Sequence, residues 1–356
     1  VLQTVADGAK LFFKEDIAPR QADRWVYLAA PFVSATVALI TFAVIPYGGS
    51  FTVGERTITL QVWDPNIGLL WILAMSSIGV YGIALGGWAS GSKYPLLGGV
   101  RSSAQMISYE LAMGLSLAAV FIYSNSLRAS DIIANQSGTL LGFIPAWHVI
   151  PMLPAFVIFF VTSVAETQRP PFDLPEAEGE LVAGFATEYS GAKFAMFFLA
   201  EFMNVITLSA VTVTLFFGGP SGPLFGPAVL QAVLPTVWFI AKVFVFVFIF
   251  IWLRGTLPRM KYDRLMDLGW KVFLPLGLFW VLATAFAVVL RQSTDPDTVV
   301  QIAIGGVAVA AVLYLIAPRL ARGDATPEPD DDAQEPRDPD PAPLLGDEER
   351  ESLPQG

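Results

Sequence analysis

"LPTVWFIAKVFVFVFIFIWL", residues 234–253, runs for twenty residues with one charged side chain, Lys242. A helix of that length rises about 30 Å, the thickness of a bilayer's hydrocarbon core. Similar runs recur along the chain, and they decide its fold class: an all-α, polytopic transmembrane helix bundle. Composition agrees, since the 356 residues are 54% hydrophobic and 15% charged, whereas soluble domains are roughly a quarter charged. Eight spans are expected, at residues 25–45, 66–88, 104–124, 148–166, 193–217, 229–253, 271–291 and 298–318. Most are apolar all round, as helices buried in lipid and protein are. Amphipathic aromatics such as Trp25, Tyr27, Trp88, Trp147, Trp252 and Trp270 mark their edges.

The domain plan follows. Residues 1–24 are an N-terminal segment, 25–318 a transmembrane domain enclosing a polar loop at 166–190, and 319–356 a tail. The net charge of −10 belongs to that tail: residues 323–356 hold twelve of the 31 acids and two of the 21 bases, leaving equal numbers elsewhere. So acidic and Pro-rich a stretch buries too little to offset its chain entropy and is expected to be disordered. The chain starts at Val1 with no signal-peptide pattern and reads as the interior of a longer protein.

Lys and Arg set an orientation. Thirteen lie on one set of alternate connections, including Lys10, Lys14, Arg101, Arg169 and Arg254, against Arg56, Arg128 and Arg291 on the other. The positive-inside rule then places the N-terminal segment, the polar loop, residues 254–271 and the tail in the cytoplasm. Without an evident internal repeat, an inverted-repeat transporter is disfavoured.

With no cysteine and one histidine, His148, the chain offers no cysteinyl iron–sulfur cluster, bis-histidine haem or three-histidine zinc site. No metal, redox cofactor or nucleic-acid partner is expected, and any electrons must come from a partner protein. His148 sits beside Trp147 at a span's end and reads as an interfacial side chain.

Charged residues carry what remains. "AETQRPPFDLPEAEGELVAGFATEYSG", residues 165–191, gathers Glu166, Asp173, Glu176, Glu178, Glu180 and Glu188 around Arg169. Pro170 and Pro171 should stop the preceding helix. "DLPE" resembles a capping box, with Asp173 as N-cap and Glu176 at the third position. A solvated loop is the bland reading. Against it, Phe172, Leu174, Leu181, Val182 and Phe185 interleave with the acids, as in a loop folded onto an apolar surface. Carboxylates clustered there titrate together and can exchange protons near neutral pH. Within the spans lie Tyr109, Glu110, Glu201 and Lys242. Ionisable groups at membrane depth are costly and default to function. A Glu–Lys pair locking two helices is the structural alternative, but buried pairs rarely add net stability. Proton or ion movement fits better. The basic loop around Arg254, Arg259 and Asp263 holds topology and can dock a partner. The glycines of "GVYGIALGGWASG" permit close helix packing.

Several stretches together resemble a known family: "LQTVADGAKLFFKED", "ETQRPPFDLPEAEGELVAGFATEYSG", "FFLAEF" and "RGTLPRMKYDRLMDLGWKVFLPL". The chain is similar to the quinone-site membrane subunit of complex I, the family that holds the H subunit of bacterial NADH:quinone oxidoreductase and mitochondrial NADH dehydrogenase subunit 1. The likeness covers roughly residues 2–290 in order. It implies a cavity for a quinone, ubiquinone or menaquinone, as substrate. Flavin and iron–sulfur clusters would lie in partner subunits, and no catalytic residue would act in this chain alone. By the resemblance, Glu166, Arg169, Asp173, Glu176, Glu178, Glu180 and Glu188 belong to the quinone cavity and its coupling loop, Arg169 holding the loop carboxylates. Tyr109, Glu110, Glu201 and Lys242 match a polar path toward the proton-pumping subunits. Lys10, Lys14, Glu15, Arg254, Arg259 and Asp263 match positions near the junction with the peripheral arm. The family's first transmembrane helix has no counterpart here, as if the sequence begins late. Competing readings are the equivalent subunit of a membrane-bound hydrogenase or other-donor dehydrogenase, a stand-alone ion transporter, and a passive anchor.

Overall fold

The structure is a computed structural model, and it describes residues 2–53, 56–140, 144–173 and 182–293. Ten α-helices carry the fold among them: α1 Gln3–Phe13, α2 Arg24–Thr41, α3 Gly68–Ala89, α4 Lys93–Ser124, α5 Ala129–Asn135, α6 Leu153–Glu166, α7 Gly191–Phe216, α8 Ala228–Thr256, α9 Tyr262–Asp267 and α10 Leu274–Ser293. A π-turn, Leu268–Phe273, joins α9 to α10. Two short antiparallel hairpins, Ser50–Val53 with Arg56–Thr59 and Thr139–Leu140 with Ile144–Pro145, lie in connections.

Among the described residues six helical segments are long and apolar enough to cross a membrane, fewer than the eight spans expected. The fourth expected span appears as α6, fourteen residues long, or about 21 Å; turns at 148–152 lead into it. The eighth, 298–318, lies outside the described residues, as does the tail.

The third span corrects the sequence reading: α4 starts at Lys93 rather than at residue 104. Pro95 sits in its first turn, where a missing N–H does no harm, and Asn125 closes it in the left-handed region at φ 52°. Its glycines are there for packing. A Cβ on Gly98 would lie 2.7 Å from the Gly184 backbone, and one on Gly87 of α3 only 2.5 Å from the Pro95 carbonyl. α4 thus packs tightly against α3 and the loop before α7, and also meets α6 and α10. α2 closes the bundle against α3 and α7. Its Tyr27, in the first turn, is buried and stacked on Tyr189, with ring centroids 4.2 Å apart. Trp25, Trp88, Trp252 and Trp270 do lie exposed. α1 leaves Val5, Phe12 and Phe13 exposed beside Lys10 and packs on α7.

His148 is buried, contrary to its interfacial reading, and meets Tyr123 edge-on at 5.2 Å. Buried Gln136 explains this. Its carbonyl accepts the His148 and Gly218 N–H groups, and its amide donates to Ile132 and Thr214, drawing α5, the turn at His148 and the end of α7 together.

Candidate functional site

The root of the acidic loop is fixed to α4. Buried Gln105 donates one amide to two carbonyls, Ala165 at 2.9 Å and Phe172 at 2.8 Å. Between them the chain turns at Gln168, whose φ is 53° and whose amide donates to Ser102. α6 therefore ends at Glu166, before the prolines expected to stop it. Phe172 packs on Tyr109 at 5.5 Å between ring centroids. Tyr109 donates its hydroxyl to the Leu265 carbonyl at 2.9 Å, tying α4 to α9. The loop's other edge is held by Met260, whose N–H donates to Pro171, and by Arg259, which bonds Asp173 at 3.2 Å. Glu176, Glu178 and Glu180, with the rest of the expected capping box, lie outside the described residues.

This arrangement brings three carboxylates to one region. Arg169 reaches α7 and forms an ion pair with Glu201, its Nη2 being 2.9 Å from Oε1 without hydrogen-bond alignment. Its guanidinium lies over the Phe202 ring at 4.6 Å. The partner described for Arg169 is thus on a helix; its expected hold on the loop carboxylates Glu176, Glu178 and Glu180 falls on residues outside those described. Ser76 donates to Glu166 at 2.9 Å, and the adjacent Ser77 donates to Glu110 at 2.5 Å. A cavity of about 60 Å3 lies among Ser34, Ser76, Glu166, Glu201, Asn204 and Thr207. Ser34 Oγ, Glu166 Oε2 and Thr207 Oγ1 are buried without a hydrogen-bond partner among the described residues, and all belong to its lining. A polar cavity of this size has room for a few waters, each able to bridge such atoms.

Lys242 is elsewhere. Its ammonium donates to the carbonyls of Phe217, Gly219 and Ser221 at 2.8, 3.0 and 2.6 Å, with the Trp147 ring at 5.1 Å. A lysine has three N–H groups, and all three are used. Gly218 and Gly219, at φ 70° and 55°, let the loop curl around it. Glu201 lies fifteen residues before Phe216 on α7, about 22 Å away along the axis. The lysine stays mid-helix because a loop comes to it.

Of the remaining expected residues, Glu188 offers its backbone carbonyl to the Tyr27 hydroxyl at 2.7 Å. Lys10, Lys14, Glu15, Arg254, Arg259 and Asp263 are all exposed. Sequence reading missed Gln105, Ser76 and Ser77. The only signal was a polar side chain inside an apolar run, as in "LAMSSIGV".

Comparison with known proteins bears on this set. Residues 1–285 match the family model described as NADH dehydrogenase. The chain belongs to the NADH dehydrogenase family. It is 50% identical over 325 residues to the H subunit of NADH-quinone oxidoreductase from Frankia casuarinae, covering 90% of this chain and 70% of that protein. It is also 50% identical over 319 residues to the corresponding protein of Frankia alni, covering 89% of this chain and 69% of that one. Within this family the carboxylates can be read against redox chemistry, where the sequence alone left a transporter open.

Proposed function

We propose that this chain is the quinone-site membrane subunit of a proton-translocating NADH:quinone oxidoreductase. The observation that carries the reading is the gathering of Glu166, Glu110 and Glu201 with Arg169 directly beneath the anchored root of the acidic loop. Reducing a quinone consumes two protons and changes charge in a partly dry space, where fields are weakly screened. The loop acids, Glu176, Glu178 and Glu180 among them, sense that change. Because Gln105 and Arg169 tie the loop's root to α4 and α7, a change in loop charge reaches the membrane carboxylates. Protons then move among Glu166, Glu201 and Glu110 beside Tyr109. Lys242, spent on its loop, we place outside that route.

Electrons arrive from flavin- and cluster-bearing partner subunits. Those partners dock at the exposed groups Lys10, Lys14, Glu15, Arg254, Arg259 and Asp263, and the quinone and surrounding lipid meet the apolar helix faces. The loop and those groups face the cytoplasm in this reading, by the positive-inside bias. Glu176→Ala or Glu180→Ala in the purified complex should lower quinone-reductase turnover by about a hundredfold, the low end of what acid–base assistance contributes, while co-purification of the other subunits survives. Wild-type turnover in the assembled variants would remove the loop's role, and a chain that purifies alone would remove the complex.

A further inference from the structure

The trailing end of the acidic loop, residues 182–190, is held by the linker between α1 and α2, residues 14–23. Gly191, at φ 57°, lets that linker come close: a Cβ there would lie 3.2 Å from the Lys14 carbonyl. Ser190 accepts the Ile17 N–H at 2.9 Å and donates to the Glu15 carbonyl at 3.3 Å. In the first turn of α7, Lys193 donates to both carboxylate oxygens of Asp16, at 2.9 and 2.8 Å. Its ammonium lies over the Tyr27 ring, 4.8 Å from the centroid. The Lys193 side chain is 14% exposed and that of Asp16 is 58% exposed. An exposed ion pair adds little stability, but an ammonium so nearly covered needs partners, and a ring face is one. From Tyr27 the contacts run inward. Tyr27 stacks on Tyr189, which donates its hydroxyl back to the Tyr27 carbonyl at 3.2 Å. Tyr189 meets Phe197 edge-on at 5.0 Å, and Phe197 meets Phe185 at 5.2 Å. Both phenylalanines line the internal cavity.

We infer that Lys193 is a positioning residue: through Asp16 and Tyr27 it latches the linker to the loop's trailing end and holds the cavity wall closed. The loop then has two moorings, Gln105 and Arg169 at its root and Lys193 at its far end. The bearing of the latch on turnover rests on the coupling role proposed above. A loosened wall lets water reach Glu166 and Glu201 and screens the charge changes to which they respond.

Ala200, buried on α7 and part of the cavity lining, serves as the probe. Ala200→Cys in the assembled complex is treated with methanethiosulfonate ethylammonium, and its modification is followed by mass spectrometry of this chain. Labelling should be slow with Lys193 present and at least about tenfold faster with Lys193→Met, as for a held segment that opens. Lys193→Arg should keep labelling slow, because a guanidinium pairs with a carboxylate and stacks on a ring. Equal labelling in the lysine and methionine forms, or fast labelling in the arginine form, would overturn the latch. Should the methionine form fail to assemble, Asp16→Asn takes its place: it strips the ion pair, keeps the ring contact and should still speed labelling, and unchanged labelling there overturns the latch equally. Turnover is read separately, without the cysteine. Lys193→Met should lower kcat by about a hundredfold, the cost of a displacement near 1 Å, with an unchanged KM for quinone and Lys193→Arg close to wild type. A loss confined to KM would overturn the positioning role. Fast labelling with wild-type turnover would leave the latch standing and sink the coupling reading instead.

Discussion

Arg169→Met should destabilise the assembled protein by about 3–5 kcal/mol, because removing one partner of a buried pair leaves the other charge uncompensated. The Arg169 side chain is 10% exposed and that of Glu201 is 19% exposed. The guanidinium also covers the Phe202 ring. Replacing both partners, Arg169→Met with Glu201→Met, removes the stranded charge. Such exchanges for apolar residues are often neutral, so the double variant should regain most of the lost stability. Thermal midpoints and yields of the purified complex, arranged as a double-mutant cycle, measure the coupling. Additive losses would show that the two residues do not act as a pair. Activity should separate from stability here: the double variant is expected to be stable yet slow, since it lacks the Glu201 carboxylate. A stable double variant with wild-type turnover would take Glu201 out of the proton route.

That pair also shows where sequence reading stops. Charged residues in apolar runs are conspicuous because membrane depth makes them expensive, so Glu110, Glu201 and Lys242 stood out by composition alone. Their partners did not. Arg169 meets Glu201 across 32 positions, and Ser76 meets Glu166 across 90. Spans were legible for a simpler reason, because a length of apolar residues is a local property. The start of α4 was not, because "KYPLLGG" reads locally as a turn. Only the approach of Gly87 and Gly184 explains why glycines are needed inside a helix there. His148 failed the same way: Gln136, twelve residues away, draws it inward. For Lys242, the apolar run around it marked the cost of its charge but not what answers it. The acceptors were backbone carbonyls of a neighbouring loop, which no residue type announces.

Those carbonyls make Lys242→Met the second change expected to have a large effect. Methionine matches the length of the lysine stem and donates nothing. The carbonyls of Phe217, Gly219 and Ser221 would each lose the Lys242 donor. A hydrogen bond to a charged group is worth about 1.5–3 kcal/mol, so even with incomplete additivity the loss is about 3–5 kcal/mol. The damage should be local: residues 217–227 should open while the carboxylate site stays assembled. The chain contains no cysteine, so Ser221→Cys gives it a single thiol on the loop itself. Maleimide should label that thiol at least about tenfold faster in the Lys242→Met background, as expected when a held segment opens. In Lys242→Ala, added propylammonium replaces the missing stem and its three donors, and it should slow labelling again. Unchanged labelling in Lys242→Met would mean the cage does not hold the loop. A clasp and a proton carrier also differ in turnover. If Lys242 only clasps the loop, propylammonium restores the closed loop and the rate together. If it carries protons, the rate stays low with the loop closed, and Lys242 rejoins the route from which its three carbonyls exclude it.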